Sequence, residues 1–132
     1  MKINYVICKK CKETLFSFYQ HDFKSCTCQE NFIDGGFCYN RYIGELKEGE
    51  IKDLMSDIRE QFIWEQNYDE NNVRLPKTKY VLLKDLTTSH ISGILRYFTE
   101  KLSPEINISK DWIAIHLIFC YELENRLKNE NK

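Results

Sequence analysis

The sequence predicts an α+β fold, in which a small antiparallel β module precedes about three α-helices. Cysteine pairs lie near the N-terminus among alternating aromatic and β-branched residues, and the later part of the chain carries apolar residues at helical spacing. We expect residues 1–46 to form the β module. We expect residues 47–132 to form a helical part that packs with the module as one compact unit.

The clearest chemical signal is the arrangement of four cysteines. Cys8 and Cys11 form a CxxC motif and, after fourteen intervening residues, Cys26 and Cys28 form a CxC motif. Four thiolates complete the tetrahedron that a structural Zn²⁺ ion prefers, so we predict a zinc-ribbon-like module with these ligands. Because four protein ligands leave no position for water, the zinc is expected to be structural and to stabilise the fold.

Other uses of the cysteines stay open at this point. The polar residues 1–7 do not resemble a signal peptide, and a reducing cytoplasm favours metal binding over disulfides. A redox-active CxxC normally opens a helix, whereas the stretch from Lys12 to Phe16 resembles a strand. Either His21 or Cys38 could replace one of the four metal ligands.

Composition excludes several classes of protein. The chain has 132 residues, of which 42% are hydrophobic and 14% aromatic, so it can form a core and is not disordered. No apolar run is long enough to cross a bilayer, and we expect no membrane contact. A formal net charge of −1 argues against non-specific binding of nucleic acid as the main task.

The strands of the module follow from alternation and from turn residues. Residues 2–7 and 14–19 alternate as strands do. The Asp34-Gly35-Gly36 sequence separates two runs of aromatic and β-branched residues, which predicts a hairpin whose second strand covers about 37–42. Residues 45–50 are mostly charged and are predicted to be a link to the helical part.

Apolar spacing predicts a first helix over about 50–65, including Phe62 and Trp64. A polar loop is expected over 67–79, and a short strand or extended segment over 80–83.

Two further helices follow. Thr87, Thr88 or Ser89 is predicted to cap a second helix that ends before Pro104. Ser109 is predicted to cap a third helix, whose polar end, from Asn125 onwards, is expected to fray.

The motifs of the first third resemble a family of small, mostly uncharacterised phage and prophage proteins with a CxxCG…HDF…CxCG…DGG…Y.R pattern. This chain carries Cys8-x-x-Cys11, His21-Asp22-Phe23, Cys26-x-Cys28, Asp34-Gly35-Gly36 and Tyr39-x-Arg41. Lys12 and Gln29 replace the glycine that follows each cysteine pair, so we expect looser turns there. The resemblance implies a phage origin, bound zinc and the cytoplasm of a bacterial host, but no established activity.

The remaining candidate sites have ordinary explanations. His116 and Cys120 lie four residues apart in an apolar stripe, which favours a buried core pair over a metal site. The acidic residues after Trp64 are typical of a solvated loop. Since the sequence contains no phosphate-binding loop, nucleophile elbow or HExxH motif, we expect no enzymatic activity.

We therefore expect a non-catalytic interaction protein that binds and blocks a host or defence protein, such as a CRISPR effector or another defence nuclease. An acidic loop over 65–72 could mimic nucleic acid towards a basic groove. The candidate partner-binding residues are Trp64, Glu65, Tyr68, Asp69 and Glu70. The broad apolar face of the last helix is also compatible with a homodimer.

A zinc-ribbon module that binds nucleic acid or regulates transcription is the alternative. The basic residues Lys9, Lys10, Lys12, Lys24 and Arg41 could form an edge around the aromatic residues Phe16, Phe18, Tyr39 and Tyr42. However, residues 1–46 hold six basic and five acidic side chains, so no strong positive field is expected and this alternative is not favoured.

Overall fold

The computed structural model describes residues 1–69, 71, 73–101 and 110–130. It has antiparallel sheets and, in the described part, three α-helices, which confirms the predicted α+β class. The elements are β1 (Lys2–Ile7), β2 (Thr14–Phe16), β3 (Lys24–Ser25), β4 (Phe32–Asp34), β5 (Arg41–Ile43), β6 (Glu45–Glu50), α1 (Ile51–Ile58), β7 (Ile63–Tyr68), β8 (Arg74–Leu82), a 3₁₀ turn (Leu83–Asp85), α2 (Thr88–Lys101) and α3 (Lys110–Glu130). None of the described helices is both long enough and apolar enough to cross a membrane.

The first sheet has the strand order β2-β1-β6, and both of its pairings are antiparallel. In the central strand β1, Val6 lies opposite Leu15 of β2 and Leu46 of β6 and is fully buried. The prediction of a charged link over 45–50 is wrong, because these residues form β6 and pair with the whole of β1. Their charges are tolerated since an edge strand leaves one row of side chains in solvent.

The second sheet, β3-β4-β5, contains the hairpin predicted from the Asp-Gly-Gly sequence. Its last pair is Asp34 with Arg41, so residues 35–40 form a six-residue loop, and the predicted strand over 37–42 begins only at Arg41. Gly35 and Gly36 have φ values of 117° and 58°. Because a Cβ at Gly35 would overlap the carbonyl oxygen of Tyr39, this loop requires glycine there.

The first helix is shorter than predicted, and the predicted polar loop is a β-ribbon. α1 ends at Ile58, β7 begins at Ile63, and β7 and β8 together cover most of 67–79. Trp64 belongs to β7, where its ring contacts Phe119 with centroids 5.2 Å apart. Among the described strands, β7 and β8 pair only with each other. Both are largely exposed, so they lack the alternation of buried residues that identifies a strand from sequence.

The largest apolar cluster joins both parts of the chain. β1, the β2 segment and all three helices contribute to it, so the module and the helices share one core in the described residues. Its buried members are Ile3, Phe16, Phe18, Ile51, Met55, Ile58, Phe62, Leu83, Leu86, Ile91, Ile94, Phe98, Ala114, Ile115, Ile118 and Phe119. The boundary near residue 46 stays a prediction.

The caps and ends of the last two helices agree with the sequence only in part. Thr87 accepts a hydrogen bond from the backbone N–H of His90 at 3.1 Å, so the predicted cap of α2 is confirmed. Pro104 and Ser109 lie outside the described residues. The predicted fraying from Asn125 is wrong, because α3 continues to Glu130 and Arg126 donates to the carbonyl oxygens of the 3₁₀ turn.

One carboxylate connects α3 to the β module. Asp111, 6% exposed, accepts hydrogen bonds from the backbone N–H groups of Gln20 and Phe37, each at 2.8 Å. These groups belong to two different loops, so a single side chain fixes both loops against the start of α3.

Replacing Asp111 with Ala should therefore destabilise the whole chain. Two backbone N–H groups at a partly buried contact would lose a charged acceptor, which costs about 1–3 kcal/mol in the free energy of unfolding. Urea denaturation followed by circular dichroism measures this, with the exposed Asp53→Ala as the matched control. An unfolding midpoint shared by both variants would contradict this role of Asp111.

Candidate metal centre

Each cysteine pair sits in a short turn closed by backbone hydrogen bonds. In the first turn, Cys8 donates its N–H to the Glu13 carbonyl at 3.0 Å, and Lys12 donates to the Cys8 carbonyl at 2.9 Å. The second turn repeats the arrangement: Cys26 donates to Asn31 at 3.2 Å, and its carbonyl accepts from Gln29 at 2.9 Å. Both turns therefore present their sulfurs towards one point.

The residues after the cysteine pairs adopt left-handed backbone conformations. Lys12 has φ of 65° and Gln29 has φ of 62°. The expected looser turns are not found, since both residues take part in the closing hydrogen bonds. A residue other than glycine in this left-handed conformation costs about 1–2 kcal/mol.

The four predicted cysteines form one cluster. Their Sγ atoms all lie within 4.8 Å of one another; Cys28 is 3.4 Å from Cys8 and 3.2 Å from Cys26. These distances exclude disulfides, whose sulfurs are about 2.05 Å apart, and all six cysteines are free. A tetrahedral Zn²⁺ site with Zn–S distances of about 2.3 Å requires sulfurs about 3.8 Å apart. The cluster can therefore hold a metal ion, and its all-sulfur donor set fits Zn²⁺.

The two spare ligand candidates lie elsewhere. His21 is bonded through Nδ1 to the Tyr39 hydroxyl at 2.8 Å, and Cys38 is exposed. Neither belongs to the four-cysteine cluster. His116 and Cys120 lie 3.7 Å apart on α3 and are half-buried, with the imidazole against the Phe98 ring, so they pack at the edge of the core.

The electrostatics of the cluster favour a bound cation. The backbone N–H of Cys11 donates to Cys8 Sγ at 3.4 Å and lowers the pKa of Cys8 to about 6. The backbone N–H of Glu30 stabilises the Cys28 thiolate, but the Cys26 sulfur, burial and the other sulfurs outweigh it and raise the pKa of Cys28 to about 12. Without a cation the sulfurs thus compete for protons, whereas a divalent cation allows all four to bind as thiolates.

Two polar links connect the turns from outside. The Glu13 carboxylate accepts from the Thr27 backbone N–H at 3.1 Å and also from the Thr27 hydroxyl. Lys10 Nζ lies 3.1 Å from Glu30 Oε1. The sequence analysis missed both links because they join residues 14 and 20 positions apart, and no local pattern connects them.

Among the predicted partner-binding residues, Glu65 and Tyr68 are exposed on β7, and Trp64 is half-buried. Asp69 accepts from the N–H groups of Asn71 and Val73 at 2.8 and 2.9 Å, so it shapes the hairpin turn. Glu70 lies outside the described residues. The residues of the predicted acidic loop therefore lie in a β-hairpin. Glu65 and Tyr68 are exposed on its first strand, and Asp69 lies in its turn.

The basic edge proposed for nucleic acid is not assembled as predicted. Phe16 and Phe18 are buried in the core and cannot contact a base. Of the predicted aromatic residues, Tyr42 is exposed. Phe23, which was not part of the predicted edge, is 58% exposed, and its ring stacks on Phe32 with centroids 5.3 Å apart.

Comparison with known proteins adds one finding. A family model described as a domain of unknown function (DUF7695) matches residues 1–44, which run from the start of the chain through β5 and include all four clustered cysteines. No curated protein and no solved structure matches the chain.

Removing one clustered cysteine should abolish metal binding. We expect one zinc ion per wild-type chain in native mass spectrometry, and none in Cys8→Ser or Cys26→Ser, because three thiolates bind far more weakly. The Cys38→Ser variant is the control and should retain the ion, since Cys38 lies outside the cluster. A wild-type chain that is fully folded after complete metal removal would contradict a structural role.

Placing glycine at the position after each cysteine pair should stabilise the protein. Lys12→Gly and Gln29→Gly relieve the left-handed backbone strain, and each should raise the free energy of unfolding by about 1 kcal/mol. Chemical denaturation of the zinc-loaded chain measures this. Lys9→Gly is the control: Lys9 is exposed in the same turn without a positive φ, so its substitution should lower stability or leave it unchanged. Equal effects at 9 and 12 would refute the strain argument.

Proposed function

We propose that the protein is a non-catalytic interaction protein, stabilised by structural zinc, that acts by binding and blocking another protein. The four-cysteine cluster supports the non-catalytic part of this proposal, because four thiolate ligands would leave a bound zinc ion no coordination position for substrate or water. The contribution of the ion is then to hold the module that supports the binding surface.

The observation that carries this proposal is the open edge of β7. Leu83 donates its N–H to the Phe62 carbonyl at 2.9 Å. Since hydrogen-bonding residues alternate along an antiparallel strand, the backbone groups of Phe62 and Trp64 face β8, whereas those of Ile63 and Glu65 face away. No other described strand pairs with this edge.

The two edges of the ribbon differ in their protection. β8 carries Pro76, Lys77 and Lys79, residue types that prevent strand addition at sheet edges. β7 contains neither lysine nor proline, and large apolar side chains beside it are exposed, with Tyr80 at 70%. An unprotected edge with exposed apolar neighbours is suited to bind an extended strand of a partner protein.

For the partner we propose a host or defence protein in the bacterial cytoplasm, a CRISPR effector or other defence nuclease being one such class. This step rests on the sequence resemblance to phage proteins. Glu65 and Asp69 add acidic groups next to the β7 edge, which suits a partner with a basic surface.

A tagged copy expressed in a bacterial host tests the proposal after nuclease treatment and a moderate salt wash. We expect one stoichiometric protein to be retained. Glu65→Pro removes an outward N–H without removing a ladder bond, so retention should fall about tenfold. Glu65→Thr keeps the N–H but removes the charge, and separates the two contributions.

Equal retention by wild type and Glu65→Pro would exclude β7 as the binding edge. Nucleic acid in the untreated eluate, with no retained protein, would favour the alternative of a nucleic-acid-binding or transcription-regulating module. The observation that supports this alternative is the exposed Phe23–Phe32 stack. Phe32 shares one sheet face with Arg41, which could contact a phosphate beside a stacked base.

A further inference from the structure

We infer that a surface cavity between α1 and α3 is a binding site for a phosphate group. The cavity has a volume of about 380 Å³, within the range of small-molecule sites. Its polar lining comes from Ser56 on α1, from Arg59 directly after α1, and from Glu122, Asn125, Arg126, Lys128 and Asn129 on α3. It is separate from the metal centre and from the β7 edge.

A buried carboxylate organises this site. Glu122 is 1% exposed and accepts from Arg59 Nε at 3.0 Å, Arg59 Nη2 at 3.1 Å and Arg126 Nε at 2.8 Å. One negative charge therefore faces two guanidinium groups. The remaining donors of Arg126 bind the carbonyl oxygens of Leu83 and Leu86 and other neighbouring oxygens, so Arg126 is structurally committed.

Arg59 is the group that is free to bind a ligand. Its Nε and Nη2 grip both oxygens of Glu122, which fixes the plane of the guanidinium, while its Nη1 has no acceptor among the described residues. The side chain is 39% exposed beside the cavity. A guanidinium held in one orientation with free donors is pre-organised for a phosphate, which it binds through parallel hydrogen bonds.

Other polar groups line the same cavity. Ser56, Asn125 and Asn129 line it and make no side-chain hydrogen bond within the described residues. Lys128 adds a positive charge that is partly balanced by Glu124, whose Oε1 lies 2.9 Å from Lys128 Nζ. The hydrogen-bonded Glu122 carboxylate raises the pKa of Arg59, and the charges of Glu60 and Asp85 add to this effect, but neither Glu60 nor Asp85 lines the cavity.

The number and arrangement of donors favour phosphate over carboxylate. The donors come from Ser56, from Arg59 directly after α1 and from α3, and a phosphate offers at least three acceptor oxygens where a carboxylate offers two. The lining has three cationic side chains and the Glu122 carboxylate; because Lys128 is also paired with Glu124, one net positive charge is left, which suits an anion.

Titration of the zinc-loaded full chain with inorganic phosphate, followed by NMR of the Arg59 Nε–H and of the Asn125 and Asn129 side-chain amides, tests the inference. We expect saturable shifts that acetate at matched ionic strength does not reproduce. Arg59→Gln should weaken binding about tenfold, whereas Lys52→Gln, on the same helix but outside the lining, should leave it unchanged. Ribose 5-phosphate in a parallel titration distinguishes a phosphomonoester from free phosphate.

Arg59→Gln also removes a partner of a buried carboxylate, so a second variant is needed. Asn125→Ala with Asn129→Ala changes only exposed residues and should weaken binding about threefold with the fold retained. Tighter binding of ribose 5-phosphate would identify a small phosphomonoester as the ligand, and equal binding would identify free phosphate. Shifts that acetate reproduces, or that neither variant changes, would overturn the inference.

Discussion

Charge compensation among four cysteine sulfurs is the constraint on which the N-terminal part of the structure depends. The sulfurs lie within 4.8 Å of one another, with Cys8 and Cys26 buried. Thiolates at this distance repel each other, so the arrangement is most stable around a divalent cation. The polar links through Glu13 and Lys10 also join the two turns, and they would reinforce a contact made through a bound ion.

The apolar cluster beside the cysteines is too small to replace the ion. Besides Cys8 and Cys26, its buried members are Val6, Leu15 and Ile33. Small domains bury too little apolar surface to be stable unaided and usually require disulfides or a metal. Because the cysteines are free, a metal ion held by the four-cysteine cluster would be the stabilising element of this module.

The features that the sequence predicts correctly are those encoded by neighbouring residues. The cysteine pairs, the turn at Gly35 and the cap at Thr87 each depend on a few adjacent positions. β6, β7 and most of β8 were missed because their strands are solvated, so no alternation of buried residues marks them. Only the end of β8 was predicted, within the short strand or extended segment over 80–83. Asp111 and Glu122 were missed because their partners are distant in sequence and become neighbours only after folding.

The strand pairing also shows how the matched segment depends on the rest of this chain. The family match ends at residue 44, but the first sheet is completed by β6, which begins at Glu45 and pairs with all of β1. The inner side chains of Ile3, Phe16 and Phe18 pack into the core that the three helices share. Residues 1–44 alone would therefore lose a strand and expose these three side chains. In this chain the four-cysteine cluster brings the two turns together, and the helices cover the opposite side of the sheet.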